Sequence, residues 1–343
     1  MNSIAEASGV WDLRARIKAM LPVERRVAIR RMLARVKVLS SYGYDARRFL
    51  GASSAGRATD DAERLAAHIS MDYHRLEKGM ALPSPRYGFG RDVVVRLMRS
   101  ITRYESAYGC ADVTAFARGA LAEYRRFNSA KITPELEATI DRFLSSDAEA
   151  VRCGGVAALT AETLFPFDGE IAQRFMRSRH SVRQFDGRPL PHDVLQDAVR
   201  IAQQAPSVCN RQSARVFAST ERSKMDELLR LQNGNRGFGD RLGAVIVVAS
   251  DMRAFTSMGE RNQCWVDGGI FAMSLALALH SLHVGACMLN WSVEPGRDRA
   301  LRRLLELDDN YAIITMMGAG YPPDSLVVAA SPRRRTESIV RFV

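Results

Sequence analysis

Two short segments carry the side chains best suited to chemistry. Arg179-His180-Ser181-Val182-Arg183 places two guanidinium groups, a hydroxyl and an imidazole within five residues. Alternate residues of an extended segment point the same way, so Arg179, Ser181 and Arg183 can converge on one anion. A forked guanidinium matches a phosphate, and the hydroxyl adds a further donor. Basic pairs beside a helix end also serve as caps or meet solvent, and this segment alone does not decide between the two. The second segment is Ala205-Pro206-Ser207-Val208-Cys209-Asn210-Arg211-Gln212. Pro206 halts the helix predicted over Pro191–Gln204, and Ser207, Asn210 and Gln212 then offer donors and acceptors that could read the edge of a flat heterocycle. The alternative is an ordinary turn in which Asn and Ser bond their own backbone. Cys209 in this loop reads as a small space-filler rather than a nucleophile. Further on, Gly318-Ala319-Gly320-Tyr321-Pro322-Pro323 closes the last internal strand, and Arg333, Arg334 and Arg335 follow. They form either a second wall for a phosphate or a solvated basic tail.

The elements that must position these residues change in character along the chain. Residues 11–40 show apolar positions at helical spacing with Arg and Lys between them, which predicts one or two amphipathic helices broken near Pro22. The small-residue stretch 51–60 reads as a linker. Helical patterns follow over 61–78, with Gly79 as the C-cap, over about 92–128, and over 134–148, where Thr133 is the N-cap and Pro134 opens the first turn. From about residue 170, helices alternate with short β-branched runs at Val216–Ser219, Ala244–Ala249, Ala286–Asn290 and Ala312–Met317, and a long apolar helix spans Trp265–Leu282. That is an α+β layout. Three regions are expected: a basic helical arm and linker over 1–60, a helical domain over 61–165, and an α+β domain over 166–343.

The 343 residues carry a formal net charge of +11, unevenly spread. Residues 1–60 hold twelve Lys/Arg against five Asp/Glu, so most of the excess sits in the arm. It suits a membrane surface or an acidic partner, or is simply a solvated face. No recognition motif accompanies the charge, and nucleic-acid binding is not expected. The five cysteines are scattered and never spaced as CxxC, which argues against a disulfide framework and against a bound metal. The N-terminus shows no signal-peptide pattern, and the apolar segment 270–289, interrupted by His280, His283 and Gly285, reads as a core helix running into a strand. The expected location is cytoplasmic, with peripheral membrane contact through residues 1–60.

In the helical half, Tyr73-His74-Arg75-Leu76-Glu77-Lys78-Gly79-Met80 packs four ionisable residues onto two turns, with His74 and Lys78 sharing a face. The Pro- and Gly-bracketed loop over 83–90 follows it. His74 and Lys78 are the candidate substrate-contacting residues of an element that would cover a cofactor site. The alternative is a helix end and a structural loop.

Taken in order, R-H-S-V-R, the helix into A-P-S-V-C-N-R-Q, Ala-Val-Ile-Val-Val, the apolar helix opening at Asp267-Gly268-Gly269, the Gly285–Leu289 strand, Gly-Ala-Gly-Tyr-Pro and the final Arg cluster resemble the nitroreductase-like FMN flavoprotein family over residues 171–343. The resemblance implies a short central mixed or antiparallel sheet flanked by helices, here preceded by a mainly α-helical domain. It implies a homodimer with FMN at the subunit interface and NAD(P)H as electron donor, passing a hydride to a small-molecule acceptor by a ping-pong cycle. By motif match, Arg179, His180, Ser181 and Arg183 would hold the phosphate and ribityl chain, joined by Arg335 or Arg333. Pro206, Ser207, Asn210 and Gln212 would reach the flavin from the opposite subunit, and Asn235 would approach its pyrimidine end. The β-prone Ser338–Val343 resembles a C-terminal strand that crosses to the partner. The H-R-L-E-K-G pattern resembles two-part proteins associated with bacterial surface-polysaccharide synthesis. Two other readings stay open: a flavin-dependent dehydrogenase or tailoring enzyme that passes electrons to oxygen, and a non-catalytic flavin-binding adaptor at a membrane.

Overall fold

A computed structural model of the chain describes residues 22–145 and 154–343. The predicted helical segment before Pro22 and the end of the 134–148 helix lie outside the described residues. Two compact units divide at Arg48/Phe49. The first contains most of helix α1 (Val23–Ala52), which starts directly after Pro22, and its Ile29, Met32, Leu33, Val36 and Leu39 are all exposed.

The second unit begins with a helical layer: α2 (Ala62–Met80), α3 (Arg91–Tyr108), α4 (Asp112–Phe127) and α5 (Pro134–Ser145). Their apolar stripes meet in one core built on Ile69, Leu76, Leu97, Ile101, Leu121 and Tyr124. The single helical pattern expected over 92–128 is two helices, because Gly109 takes a positive φ of 80° and turns the chain. Thr133 caps α5 as expected, its Oγ1 accepting from Leu136 N at 3.4 Å. Gly79 does not cap α2; the helix runs on to Met80 and ends at Ala81. Gly79 is needed for space instead, since a Cβ there would sit 2.1 Å from the Phe89 ring. The stretch expected to be a linker is packed: Ala52 and Ser53 are buried, Ser54 N donates to Phe255 O at 3.0 Å, and Arg64 Nη1 donates to Ala52 O at 2.8 Å.

After the short α6 (Ala161–Leu164) and α7 (Gly169–Ser178) comes the α+β layer: α8 (His192–Ala202), β1 (Ala214–Ser219), α9 (Arg222–Arg230), β2 (Ala244–Asp251), α10 (Gln263–Ser281), β3 (Gly285–Asn290), α11 (Pro295–Leu304) and β4 (Tyr311–Gly320). The sheet order is β1-β2-β4-β3 and every named pair is antiparallel. β2 is buried along its whole length, as its unbroken apolar run requires of a central strand covered on both faces. α10 is the one described helix long and apolar enough to cross a membrane. In this fold one face of it joins the core with Leu275, Ala278 and Leu279, while Trp265, Val266, Ile270 and Met273 on the other are exposed. Gly268 permits the approach, because a Cβ would meet Ile314 at 2.4 Å.

Candidate functional site

The Arg179–Arg183 segment leaves α7 and runs beside β3. Ser181 forms a parallel bridge to Ala286, and Val182 N donates to Ala286 O at 3.1 Å. Gly285 lets the segment this close, since a Cβ would touch Val182 at 3.0 Å. Arg179 and Ser181 are half-buried, and His180 and Arg183 are exposed. Arg183 Nη1 reaches only the Ser181 carbonyl, at 3.4 Å, and His180 Nδ1 lies 2.8 Å from Ser178 O. Among the described residues neither Arg179 nor Arg183 is paired with a carboxylate. The surrounding groups register this excess charge. Burial, then the Arg179, His180 and His283 charges, hold His280 below the usual imidazole value, and its Nε2 sits 2.7 Å from Ser178 Oγ. Burial pushes the Cys287 thiol up, opposed by Arg183 and Arg179. The turn is a cationic surface with open donor capacity.

Asn235 lies at the other end of β3. Its loop is tied there by buried Gln232, which bonds Leu289 O through Nε2 and accepts from Gly234 N through Oε1. Asn235 O accepts from Gly239 N at 3.0 Å, and its half-buried side chain packs where a Cβ on Gly239 would come within 2.8 Å. From Ala286 to Leu289 is three residues, roughly 10 Å of strand. The C-terminal segment passes the cationic turn, with Val327 N donating to Gln184 Oε1 at 3.0 Å. Arg333 bonds Ser331 O and Arg335 pairs with Glu337 at 3.4 Å, so the structure does not bring either against Arg179 or Arg183. Residues 339–343 form no strand in this single chain, and Phe342 is 91% exposed.

The Ala205–Gln212 loop is strained. Cys209, Asn210 and Gln212 have φ of 49°, 52° and 47°, a region non-glycine residues occupy at a cost. Contacts from distant elements impose it. Buried Asp267 on α10 accepts from Val208 N at 3.1 Å and from Gln263 Nε2 at 2.8 Å. Arg211, with a fully buried side chain, donates to Ala254 O at 2.8 Å and Val208 O at 3.1 Å, and forms a bidentate pair with Glu260. Burial alone would raise the Glu260 carboxyl, but Arg211 and the Thr256 and Ser257 amides outweigh it and hold it low. Gln212 N donates to Ser207 Oγ at 3.0 Å. With the backbone fixed from behind, the Ser207, Asn210 and Gln212 side chains line a cleft of about 330 Å³, and Pro206 lines it with them.

The opposite wall of that cleft belongs to the helical layer. Glu63, Ala66, Ala67, Ser70 and Tyr73 form one stripe of α2, and Asp112, Val113 and Phe116 come from α4. Ser70 and Asn210 stand near the Tyr73 hydroxyl, and burial, then the Glu77 charge, raises its pKa above the usual tyrosine value. Arg215 Nη2 pairs with Glu63 Oε2 at 3.1 Å. His74 and Lys78 do not line the cleft. His74 Nδ1 meets Glu77 Oε2 at 3.1 Å, Glu77 Oε1 accepts from Gly155 N at 3.0 Å, and Lys78 is exposed. Sequence reasoning thus found the loop but missed Arg211, Glu260, Asp267, Ser70 and Tyr73. Arg211 and Asp267 stood inside the recognised motifs and Tyr73 opened the Tyr73–Met80 segment; for Ser70 the only signal was its place on the same helical stripe as Tyr73.

Residues 176–233 and 220–321 match the family model described as the nitroreductase family. The match places a nitroreductase-family domain in the C-terminal half of the chain. An Archaeoglobus fulgidus protein with the assigned name NADH dehydrogenase/NAD(P)H nitroreductase is 26% identical over 155 residues, 44% of this chain and 85% of that protein. A nitroreductase family protein from Streptococcus pneumoniae is 19% identical, covering 50% of this chain and all of that one, with a TM-score of 0.44. A Desulfovibrio desulfuricans protein solved in complex with FMN is 20% identical, covering 52% and 98%, also with a TM-score of 0.44.

Proposed function

We propose that this chain is an FMN-dependent oxidoreductase that passes a hydride from NAD(P)H to a small-molecule acceptor by a ping-pong cycle. The observation that carries it is a pair of arginines without a carboxylate partner among the described residues, in a nitroreductase-family domain, beside a strand whose far end presents Asn235. The residues fit the cofactor. Arg179, Ser181 and Arg183 supply the donors a phosphate dianion needs, with His180 at the rim. The length of β3 between this turn and the Asn235 loop suits an extended ribityl chain. When bound, FMN supplies the two-electron chemistry, accepting hydride from the nicotinamide and giving it to the acceptor. Asn235 would donate to the pyrimidine edge. Arg333 and Arg335 would join the phosphate once the exposed tail packs against the second copy.

A homodimer follows from the same reading, with Pro206, Ser207, Asn210 and Gln212 facing the flavin of the second copy. Its support is the exposed apolar face of α10, where Trp265 is 43% and Val266 50% exposed, and the exposed apolar tail at 339–343. The absorbance spectrum and cofactor mass of purified protein, then anaerobic NADH addition, test the reading. Flavin bands that bleach support it. Bands that do not bleach favour the dehydrogenase that passes electrons to oxygen, and colourless protein that takes up no FMN refutes it.

The exposed apolar stripe and flanking arginines of α1 support a further element: contact with an anionic membrane surface from the cytoplasmic side. Cosedimentation of the full chain with anionic vesicles should be lost when Arg25, Arg30, Arg31 and Arg35 become Gln; wild-type protein that stays in the supernatant ends the idea. The H-R-L-E-K-G resemblance supports an acceptor from surface-polysaccharide synthesis.

A further inference from the structure

The cleft between α2 and the Ala205–Gln212 loop has a charge character opposite to that of the chain. The whole molecule is strongly basic, with a net charge of +11. The cleft is lined by the carboxylates Glu63, Asp112 and Asp267 and by only two cations, Arg211 and Arg215. Both cations are committed, Arg211 to Glu260 behind the wall and Arg215 to Glu63 across it. Asp267 is occupied by Val208 N and Gln263. Asp112, in the first turn of α4, is exposed and carries the uncompensated negative charge. The remaining surfaces are the Phe116 and Phe271 rings, the small Ala66 and Ala67, and the hydroxyls of Ser70 and Tyr73.

We infer that the helical domain is the acceptor-selecting wall of this enzyme, and that it admits uncharged or cationic flat molecules of one or two rings while disfavouring anions. The inference rests on the proposed oxidoreductase reading and deepens it. Three features carry it. The volume, about 330 Å³, lies at the small end of ligand pockets. Phe116 and Phe271 give a planar guest apolar contact, and Ser70 and Tyr73 add hydroxyls to the lining. Asp112 and the Glu63–Arg215 pair leave an anion no free cation on this wall.

The test compares 4-nitrobenzamide with 4-nitrobenzoate, the same ring with and without a negative charge. Full-length protein is used, as wild type, Glu63→Gln, Asp112→Asn and Arg215→Gln, with NADH as donor. Wild type should prefer the amide by on the order of tenfold in kcat/KM, as one nearby charge in a partly screened site predicts. Asp112→Asn and Glu63→Gln should narrow that ratio several-fold. Arg215→Gln should widen it, although it breaks the same ion pair as Glu63→Gln. A purely structural role for the pair would move Glu63→Gln and Arg215→Gln the same way, and that result overturns the inference, as does an unchanged ratio in all three. If NADH does not reduce the bound flavin, the oxidoreductase reading fails separately. Equilibrium binding of the two probes, followed by intrinsic fluorescence, then still reads the charge preference, and equal affinities for amide and benzoate refute it.

Discussion

Replacing Arg211 with Met should loosen the Ala205–Gln212 loop and destabilise the fold. The side chain is 0% exposed, and its partner Glu260 is 20% exposed. Removing the guanidinium deletes the bonds to Val208 O and Ala254 O and leaves a carboxylate with only the Thr256 and Ser257 amides and the Thr256 hydroxyl. Breaking a buried pair from one side costs about 3–5 kcal/mol. Water can reach part of Glu260, so a loss of roughly 2–4 kcal/mol is expected. At about 2–4 °C per kcal/mol for a domain of this size, Tm should fall by about 4–16 °C. Glu260→Gln alone should cost less, and the double variant should cost less than the sum, with a coupling of about 1–3 kcal/mol. The pH dependence has a definite sign. The folded Glu260 carboxyl lies below its ordinary value, so its contribution is complete above about pH 4.3 and is lost as pH falls through the depressed value. Glu260→Gln should therefore flatten the acid limb of the stability profile. Urea unfolding of the four proteins between neutral and acid pH measures all of this. Additive costs, or Arg211→Met within about 0.5 kcal/mol of wild type, would refute the account of how the loop is held.

Two other perturbations probe the cationic turn and the helical layer. Arg183→Ala should weaken FMN binding by about 10- to 100-fold, the worth of a lost charge-assisted contact to phosphate, and should reduce the salt dependence of binding. Fluorescence titration of apoprotein checks this, and an unchanged affinity removes Arg183 from the phosphate site. Gly79→Ala should destabilise by roughly 1–3 kcal/mol, despite the better helix propensity of Ala, because the methyl would overlap the Phe89 ring that packs edge-on against Tyr124. Thermal melting of the variant reads this directly; a stabilised protein would show that the ring yields freely.

What local pattern carries was legible before any coordinates. The β-branched runs became the four strands, with ends moved by a few residues, because each is a short run of strand-forming residues, and in β2 every residue is buried. Thr133-Pro134 marked a helix start because capping is a contact across three residues. Gly79 shows the limit. At the end of a helical pattern a glycine reads as a cap, yet its purpose here is to clear the Phe89 ring, ten residues on and in another element.

The order of the motifs alone identified a flavoprotein-like domain and named the turn and the loop within it. Those signals are local: residue types at fixed short spacing. Only the tertiary structure decided what stands opposite them. The Arg211–Glu260 pair spans 49 residues, the Val208–Asp267 bond 59 and the Arg215–Glu63 pair 152, and no periodicity reports contacts at such separations. The helical half was visible as helices, but which stripe of α2 would face the cleft depended on how α2 packs against α3, α4 and the loop. That packing turned Ser70 and Tyr73 toward the site and left His74 and Lys78 away from it, although all four stand within nine consecutive residues of one helix.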